Sequence, residues 1–228
     1  MTARLIAVEG VDGSGKGTQS RLLVDALIAA GRSASLLSFP RYSETFFGAR
    51  IGDFLNGRFG SLEAVDPFLA SLLFAGDRLE SLPVLAAALA EHEFVVLDRY
   101  VASNVAHQGA KREGAERTEL IRRIEHVEFA LNALPRPDAT VWLDLPVPLA
   151  TQLIAAKARR DYTDKAADLQ EADSAYLSRV AAVYAELATG DGWVRVPCSA
   201  AGAVRPMAAI AADVLSAATG ECGFPDRG

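Results

Sequence analysis

The sequence predicts an α/β domain: a five-stranded parallel sheet flanked by helices, with a small lid segment. Three observations carry this. Short apolar runs alternate with helical patterns along all 228 residues. The runs are continuously apolar, as in Phe94-Val95-Val96-Leu97, which fits strands buried on both faces. The first run is followed at once by a glycine-rich stretch and a helix start. In chain order, Leu5–Val8 is the first strand. Lys16–Ala30 is a helix with Leu22, Leu23, Ala26, Leu27 and Ala30 on one face and Gly31 as its stop. Ser35–Phe39 is the second strand, ended by Pro40. Asp66-Pro67 supplies an N-cap and first-turn pair for a helix through Glu80. Pro83 marks a break before a second helical segment through His92. Phe94–Leu97, Val141–Leu145 and Trp193–Val196 are the third, fourth and fifth strands, and helical patterns fill 117–134, 148–158, 168–190 and 202–218. The most polar stretch, Lys157–Gln170, is the candidate lid, and residues 220–228 are a loose tail. No repeat or low-complexity linker divides the chain, so 1–228 is one expected domain.

Half the residues are hydrophobic and the formal net charge is −6. The core can therefore be large, and no basic face is available for general nucleic-acid binding. The two cysteines, Cys198 and Cys222, form neither a disulfide framework nor a zinc pattern. The chain opens into a core strand without a signal-peptide pattern, and no apolar stretch is long enough to span a bilayer. These features lead us to expect a cytoplasmic protein with no membrane partner.

Gly10-Val11-Asp12-Gly13-Ser14-Gly15-Lys16-Gly17-Thr18 has the spacing of a phosphate cradle. Glycines let successive backbone N–H groups turn toward an anion, the following helix adds its positive end, and Lys16 adds a mobile charge. Gly10, Asp12, Gly13, Ser14, Gly15, Lys16, Gly17 and Thr18 are thus the expected binding set for ATP. Lys16 is expected to face solvent when no substrate is bound. One departure stands out: Gly17 occupies the place after the lysine where a Ser or Thr usually touches Mg²⁺, and Thr18 comes one position later.

Further segments follow the strands. Phe39-Pro40-Arg41-Tyr42 follows the second, Leu73-Phe74-Ala75-Gly76-Asp77-Arg78 lies in the central helix, and Asp98-Arg99-Tyr100-Val101-Ala102-Ser103-Asn104-Val105-Ala106-His107-Gln108 follows the third. Leu134-Pro135-Arg136-Pro137-Asp138 precedes the fourth. In order and spacing, from residue 4 to about residue 200, these segments and Glu9–Gly13 resemble the thymidylate kinase family. The resemblance implies a P-loop kinase fold, transfer of a phosphoryl group from ATP to dTMP with Mg²⁺, and a homodimer.

It also implies residue roles. Arg41 and Arg99 would bind the acceptor monophosphate, as guanidinium forks do; otherwise Arg41 is a solvated loop arginine and Arg99 an ion-pair partner of Asp98. Phe74 would stack on thymine, although its helix position equally suits a core residue. Arg78 and Asn104 would hydrogen-bond the pyrimidine edge. Tyr42 and Ser103 complete the acceptor set, and His107 would pack near the deoxyribose where relatives carry an aromatic ring. Asp12 would meet Mg²⁺ or the sugar 3′-hydroxyl, or simply cap its loop. Asp98 would hold a metal-bound water or orient Arg99. With no arginine in Asp12-Gly13-Ser14, the catalytic set is Lys16, Arg99 and Asp12 together with Arg159 and Arg160 of the lid, where Lys157 adds a third positive charge. Other classes compatible with these motifs are another nucleoside monophosphate or deoxynucleoside kinase, or a non-catalytic nucleotide-binding module. A GTP-dependent switch is disfavoured because the chain has no Asn-Lys-x-Asp motif.

Overall fold

A computed structural model describes residues 3–61, 64–156 and 173–220. The expected lid with Lys157, Arg159 and Arg160 falls outside the described residues, as do Cys222 and the tail from 221. Five strands, β1 (Arg4–Glu9), β2 (Ala34–Ser38), β3 (Phe94–Asp98), β4 (Ala139–Asp144) and β5 (Trp193–Pro197), form one sheet in the order β2-β3-β1-β4-β5. Every pairing is parallel, with Ile6 opposite Val96 on one side and Ala139 on the other.

The continuous apolar runs are explained by the two cores. Ile6 and Val8 point into one, with Leu23 and Leu27 of α1 (Lys16–Ala29) and Val180, Val183 and Tyr184 of α8 (Ser174–Leu187). Leu5 and Ala7 point into the other, with Leu85 of α4 (Leu82–Glu91), Val101 of α5 (Val101–Gly109) and Ile124 of α6 (Gly114–Glu125). Each fully buried Leu or Ile contributes about 1.5–3 kcal/mol by leaving water, so neither face tolerates polar alternation.

The remaining elements are α2 (Phe46–Leu55), α3 (Pro67–Glu80), α7 (Val147–Ala155), α9 (Met207–Thr219) and a two-residue hairpin, β6 (Ser199–Ala200) with β7 (Ala203–Val204). Asp66 caps α3 as expected, accepting from the N–H groups of Phe68 and Leu69 at 2.9 and 3.2 Å. The structure departs from the sequence reading at four places. Helix α2, capped by Thr45 through Gly48 N at 2.8 Å, has Gly48 and Gly52 inside ten residues, which hides its helical signal. Helix α5 occupies the signature segment after β3, where Val101, Ser103, Asn104 and Val105 are poor helix formers. The stretch 117–134 is not one helix: α6 passes into a π-helical turn over His126–Leu131. Helix α9 begins five residues later than the expected 202, after Pro206, because the hairpin takes up its start.

Loops leaving the carboxyl ends of β1, β2 and β3 face the same crevice, where ligands bind in open parallel sheets.

Candidate active site

One cleft of about 610 Å³ opens at that edge. Its phosphate end is the loop after β1. Gly13 sits at φ 83°, and a Cβ there would lie 2.4 Å from the carbonyl oxygen of Ala150, so the loop can pass under α7 only without a side chain. Gly15 starts α1 in the left-handed region. At Gly17 a Cβ would stand 2.8 Å from Asp98 Oδ2, so the Asp98 carboxylate lies close against the backbone there. That carboxylate makes no ion pair or side-chain hydrogen bond among the described residues. Gly13, Gly15, Lys16 and Gly17 line the cleft, whereas Gly10, Ser14 and Thr18 do not.

Lys16 corrects one expectation. It is only 5% exposed rather than solvent-facing. Its ammonium donates to the carbonyl oxygens of Gly10 and Val11, each at 2.8 Å, and stands 3.9 Å from Asp12 Oδ1. Burial, reinforced by repulsion from Arg99, brings its pKa down to about 7 against the pull of Asp12 and Asp98. The loop carbonyls hold the charge that a bound phosphate would otherwise take.

Asp12 is the hub of the charged floor. It is 4% exposed and paired with the Arg99 guanidinium, and His107 Nε2 lies 3.9 Å from its Oδ2. Burial works to raise its pKa, but Arg99 and Lys16 prevail and hold it well below the usual carboxylate range. Arg99 therefore pairs with Asp12, not with neighbouring Asp98. At φ 69°, with its N–H bonded to Val8 O at 3.1 Å, its backbone turns the side chain back over the phosphate loop. His107 donates from Nδ1 to the Tyr176 hydroxyl at 3.2 Å, while that hydroxyl donates to the His107 carbonyl at 2.8 Å. Burial lowers the His107 pKa to about 3. The ring is therefore neutral near pH 7, with Nε2 on the side of Asp12.

At the far end, Phe74 lines the cleft and packs edge-to-face on Phe54, with centroids 6.5 Å apart at 88°. Phe74 thus packs on the small core of Ile51, Phe54 and Ala70 and also lines the cleft. Tyr42 packs on the same core and also lines the cleft. Arg78 and Asn104 line it too, and both are tied to Glu128. Ser103 lines it, but its hydroxyl donates to Glu9 Oε2 at 2.6 Å. Arg41 is the one described acceptor residue that the structure keeps off the lining. Its guanidinium is held by Glu44 and by Ser81 Oγ, the latter at 3.3 Å.

Several contributors escaped sequence reasoning. Arg21 lines the phosphate end, one turn after Gly17, whose carbonyl its Nε reaches at 3.1 Å. Gln108 lines the far end. Glu9, fully buried, accepts from Tyr100 N at 2.7 Å, Ser103 N at 3.2 Å and Tyr184 OH at 2.9 Å, and so anchors the start of α5. Only the i, i+4 spacing of Gly17 and Arg21 was available as a signal; the other contacts join residues far apart in sequence. The Leu134–Asp138 segment is structural. Tyr100 OH donates to Pro135 O at 3.0 Å, and Asp138 accepts from Leu5 N at 2.8 Å.

Comparison with known proteins agrees with this geometry. The family profile described as thymidylate kinase matches residues 8–201. The chain belongs to the thymidylate kinase family. A thymidylate kinase from Mycobacterium tuberculosis is 38% identical over 189 residues, covering 83% of this chain and 87% of that one. The human thymidylate kinase is 37% identical over 141 residues, covering 62% of this chain and 60% of that one. A solved structure of thymidylate kinase from Candida albicans superposes with a TM-score of 0.71 at 24% identity, covering 97% of this chain and 92% of that one, which supports the P-loop kinase fold. The thymidylate kinase profile begins at the end of β1 and spans the phosphate loop, the signature segment after β3 and strands β2 to β5.

Proposed function

We propose that this chain transfers the γ-phosphoryl group of ATP to dTMP, giving ADP and dTDP. The observation that carries this reading is the single cleft that joins a phosphate loop at one end to an aromatic wall and hydrogen-bonding side chains at the other. Phosphoryl transfer of this kind needs positioning and charge more than a strong base. The neutral, low-pKa His107 and the absence of any other histidine in the lining fit that requirement. Lys16 exchanges the carbonyls of Gly10 and Val11 for phosphate oxygens. Arg99, already oriented by Asp12, meets the acceptor phosphate, and Arg41 joins it by leaving Glu44. Phe74 stacks on the base while Arg78 and Asn104 meet its edge; Tyr42, Ser103 and His107 enclose the sugar end.

Mg²⁺ is held in such sites by one or two carboxylates plus phosphate oxygens. The unpaired Asp98 carboxylate beside Gly17 fits that donor set, and among the described residues no larger cluster of metal-binding side chains is present. When bound, the ion neutralises charge on the donor phosphates. Asp12, expected at either Mg²⁺ or the sugar hydroxyl, is better placed for the hydroxyl because Arg99 already occupies one of its oxygens. Arg159 and Arg160 would bring further positive charge over the transferred group. The chain acts as one domain in the cytoplasm; no helix among the described residues is long and apolar enough to cross a membrane. The homodimer that the family resemblance implies is part of this reading.

The test is catalytic efficiency across dTMP, dUMP, dCMP, AMP, GMP and thymidine by coupled ADP release. dTMP should lead, with dUMP poorer by the ~1–3 kcal/mol of one methyl contact. Equal efficiency for dTMP and AMP would overturn the assignment.

A further inference from the structure

Behind the base-facing wall stands a buried carboxylate that neither the motifs nor the lining of the cleft includes. Glu128 is fully buried on the π-helical turn. Its Oε2 accepts from Arg78 Nε at 3.0 Å, and its Oε1 accepts from the terminal Arg78 nitrogen. The same Oε1 accepts from Asn104 Nδ2 at 2.8 Å, and the second hydrogen of that amide goes to Ser71 O at 3.1 Å. Both partners of Asn104 are acceptors only, so the amide group turned toward them must be the NH₂. The other atom, Oδ1, is then left buried without a partner, on a residue that lines the cleft.

We infer that Glu128 is a positioning residue that sets base choice. By holding the Asn104 NH₂ it presents a carbonyl acceptor to the ligand. This inference rests on the pyrimidine-nucleotide reading above. An unpartnered buried acceptor demands a donor. Thymine and uracil carry N3–H; cytosine carries a bare N3 lone pair, which would meet the carbonyl oxygen head-on. If Asn104 were free to flip, its NH₂ would serve cytosine equally well. Selection against cytosine is thus fixed by a residue that need not touch the base. The π-helical turn is the local feature that carries Glu128 to this point. Such turns often mark functional sites. The Arg78 pairing keeps the carboxylate in place: burial opposes the arginine's charge, but Glu128 prevails and raises its pKa.

The experiment compares dTMP and dCMP binding by calorimetry in wild type, Glu128→Gln, Asn104→Ala and the double variant, with ATP binding as the check on folding. A glutamine offers both a donor and an acceptor to Asn104, so only Ser71 O still favours one sense of the amide. The dTMP-over-dCMP ratio should narrow by about tenfold or more in Glu128→Gln, with ATP affinity little changed. In the Asn104→Ala background the same substitution should leave the ratio within about twofold, because the residue acted through is gone. If Glu128→Gln does not fold, Glu128→Asp keeps a charge opposite Arg78 while withdrawing from Asn104, and should narrow the ratio in the same direction. An unchanged ratio in a folded Glu128 variant, or equal narrowing with and without Asn104, overturns the inference while leaving the kinase reading intact. A wild type that binds dTMP no better than dCMP overturns the base-site reading and the inference with it.

Discussion

Lys16 illustrates how one side chain links burial to binding. With its pKa at about 7 in the free protein, roughly half the molecules carry the charge at neutral pH. A triphosphate stabilises the ammonium and raises that value. At pH 8 the free lysine is mostly neutral and the bound one protonated, so ATP binding should take up close to one proton, measurable by calorimetry in buffers of different ionisation enthalpy. Affinity should fall as pH rises above about 7, the sign that linkage requires when the bound state holds more protons. Lys16→Met should remove the proton uptake and lower turnover by more than tenfold, a barrier change above ~1.4 kcal/mol. Arg41 should behave differently. Its guanidinium must leave Glu44 and Ser81 to reach an acceptor phosphate. Arg41→Ala should raise the Michaelis constant for dTMP much more than that for ATP in steady-state kinetics; the reverse pattern would assign Arg41 to the donor.

Helix α5 shows what an element owes to distant residues. Its local sequence is a poor helix former, yet it carries Ser103, Asn104, His107 and Gln108 into the cleft. Its start is secured by the two backbone N–H groups that Glu9 accepts from 91 and 94 residues away. Glu9→Ala would leave these two donors unmatched in the core, with the Ser103 and Tyr184 hydroxyls bonded only to each other. It should cost about 3 kcal/mol or more in chemical denaturation, with dTMP binding lost before ATP binding. This helix also marks the limit of sequence reading. The three inner strands, β3, β1 and β4, were legible because both of their faces are buried and apolar, and the phosphate loop because glycine spacing is itself the mechanism. The approach of Asp98 to Gly17 and the hold of Glu128 on Arg78 were not. They depend on β3 lying beside β1 and on a contact 50 residues long, neither of which leaves a local pattern. The solvent-facing Lys16 failed for a related reason: the carbonyls that enclose it belong to a loop whose curvature is set by packing under α7.

At the scale of the molecule, parallel pairing places three strand-end loops at one edge, and a single crevice receives donor and acceptor together. The closing element proposed for 157–170 would add Arg159 and Arg160 to that crevice. Arginines that meet a transferring phosphoryl group are worth roughly 10³–10⁵ in turnover. Arg159→Ala or Arg160→Ala should therefore slow the chemical step by at least about 100-fold in single-turnover kinetics, with smaller changes in ATP affinity. A double variant that transfers phosphate at the wild-type rate would leave that charge to Arg99 and the ion. The most direct measurement concerns the crevice itself. Adenosine and thymidine joined 5′ to 5′ through a chain of phosphates would span both ends at once. Such a compound should bind once per chain and compete with both ATP and dTMP. Competition with only one of them, or two molecules bound per chain, would mean that donor and acceptor do not share the cleft.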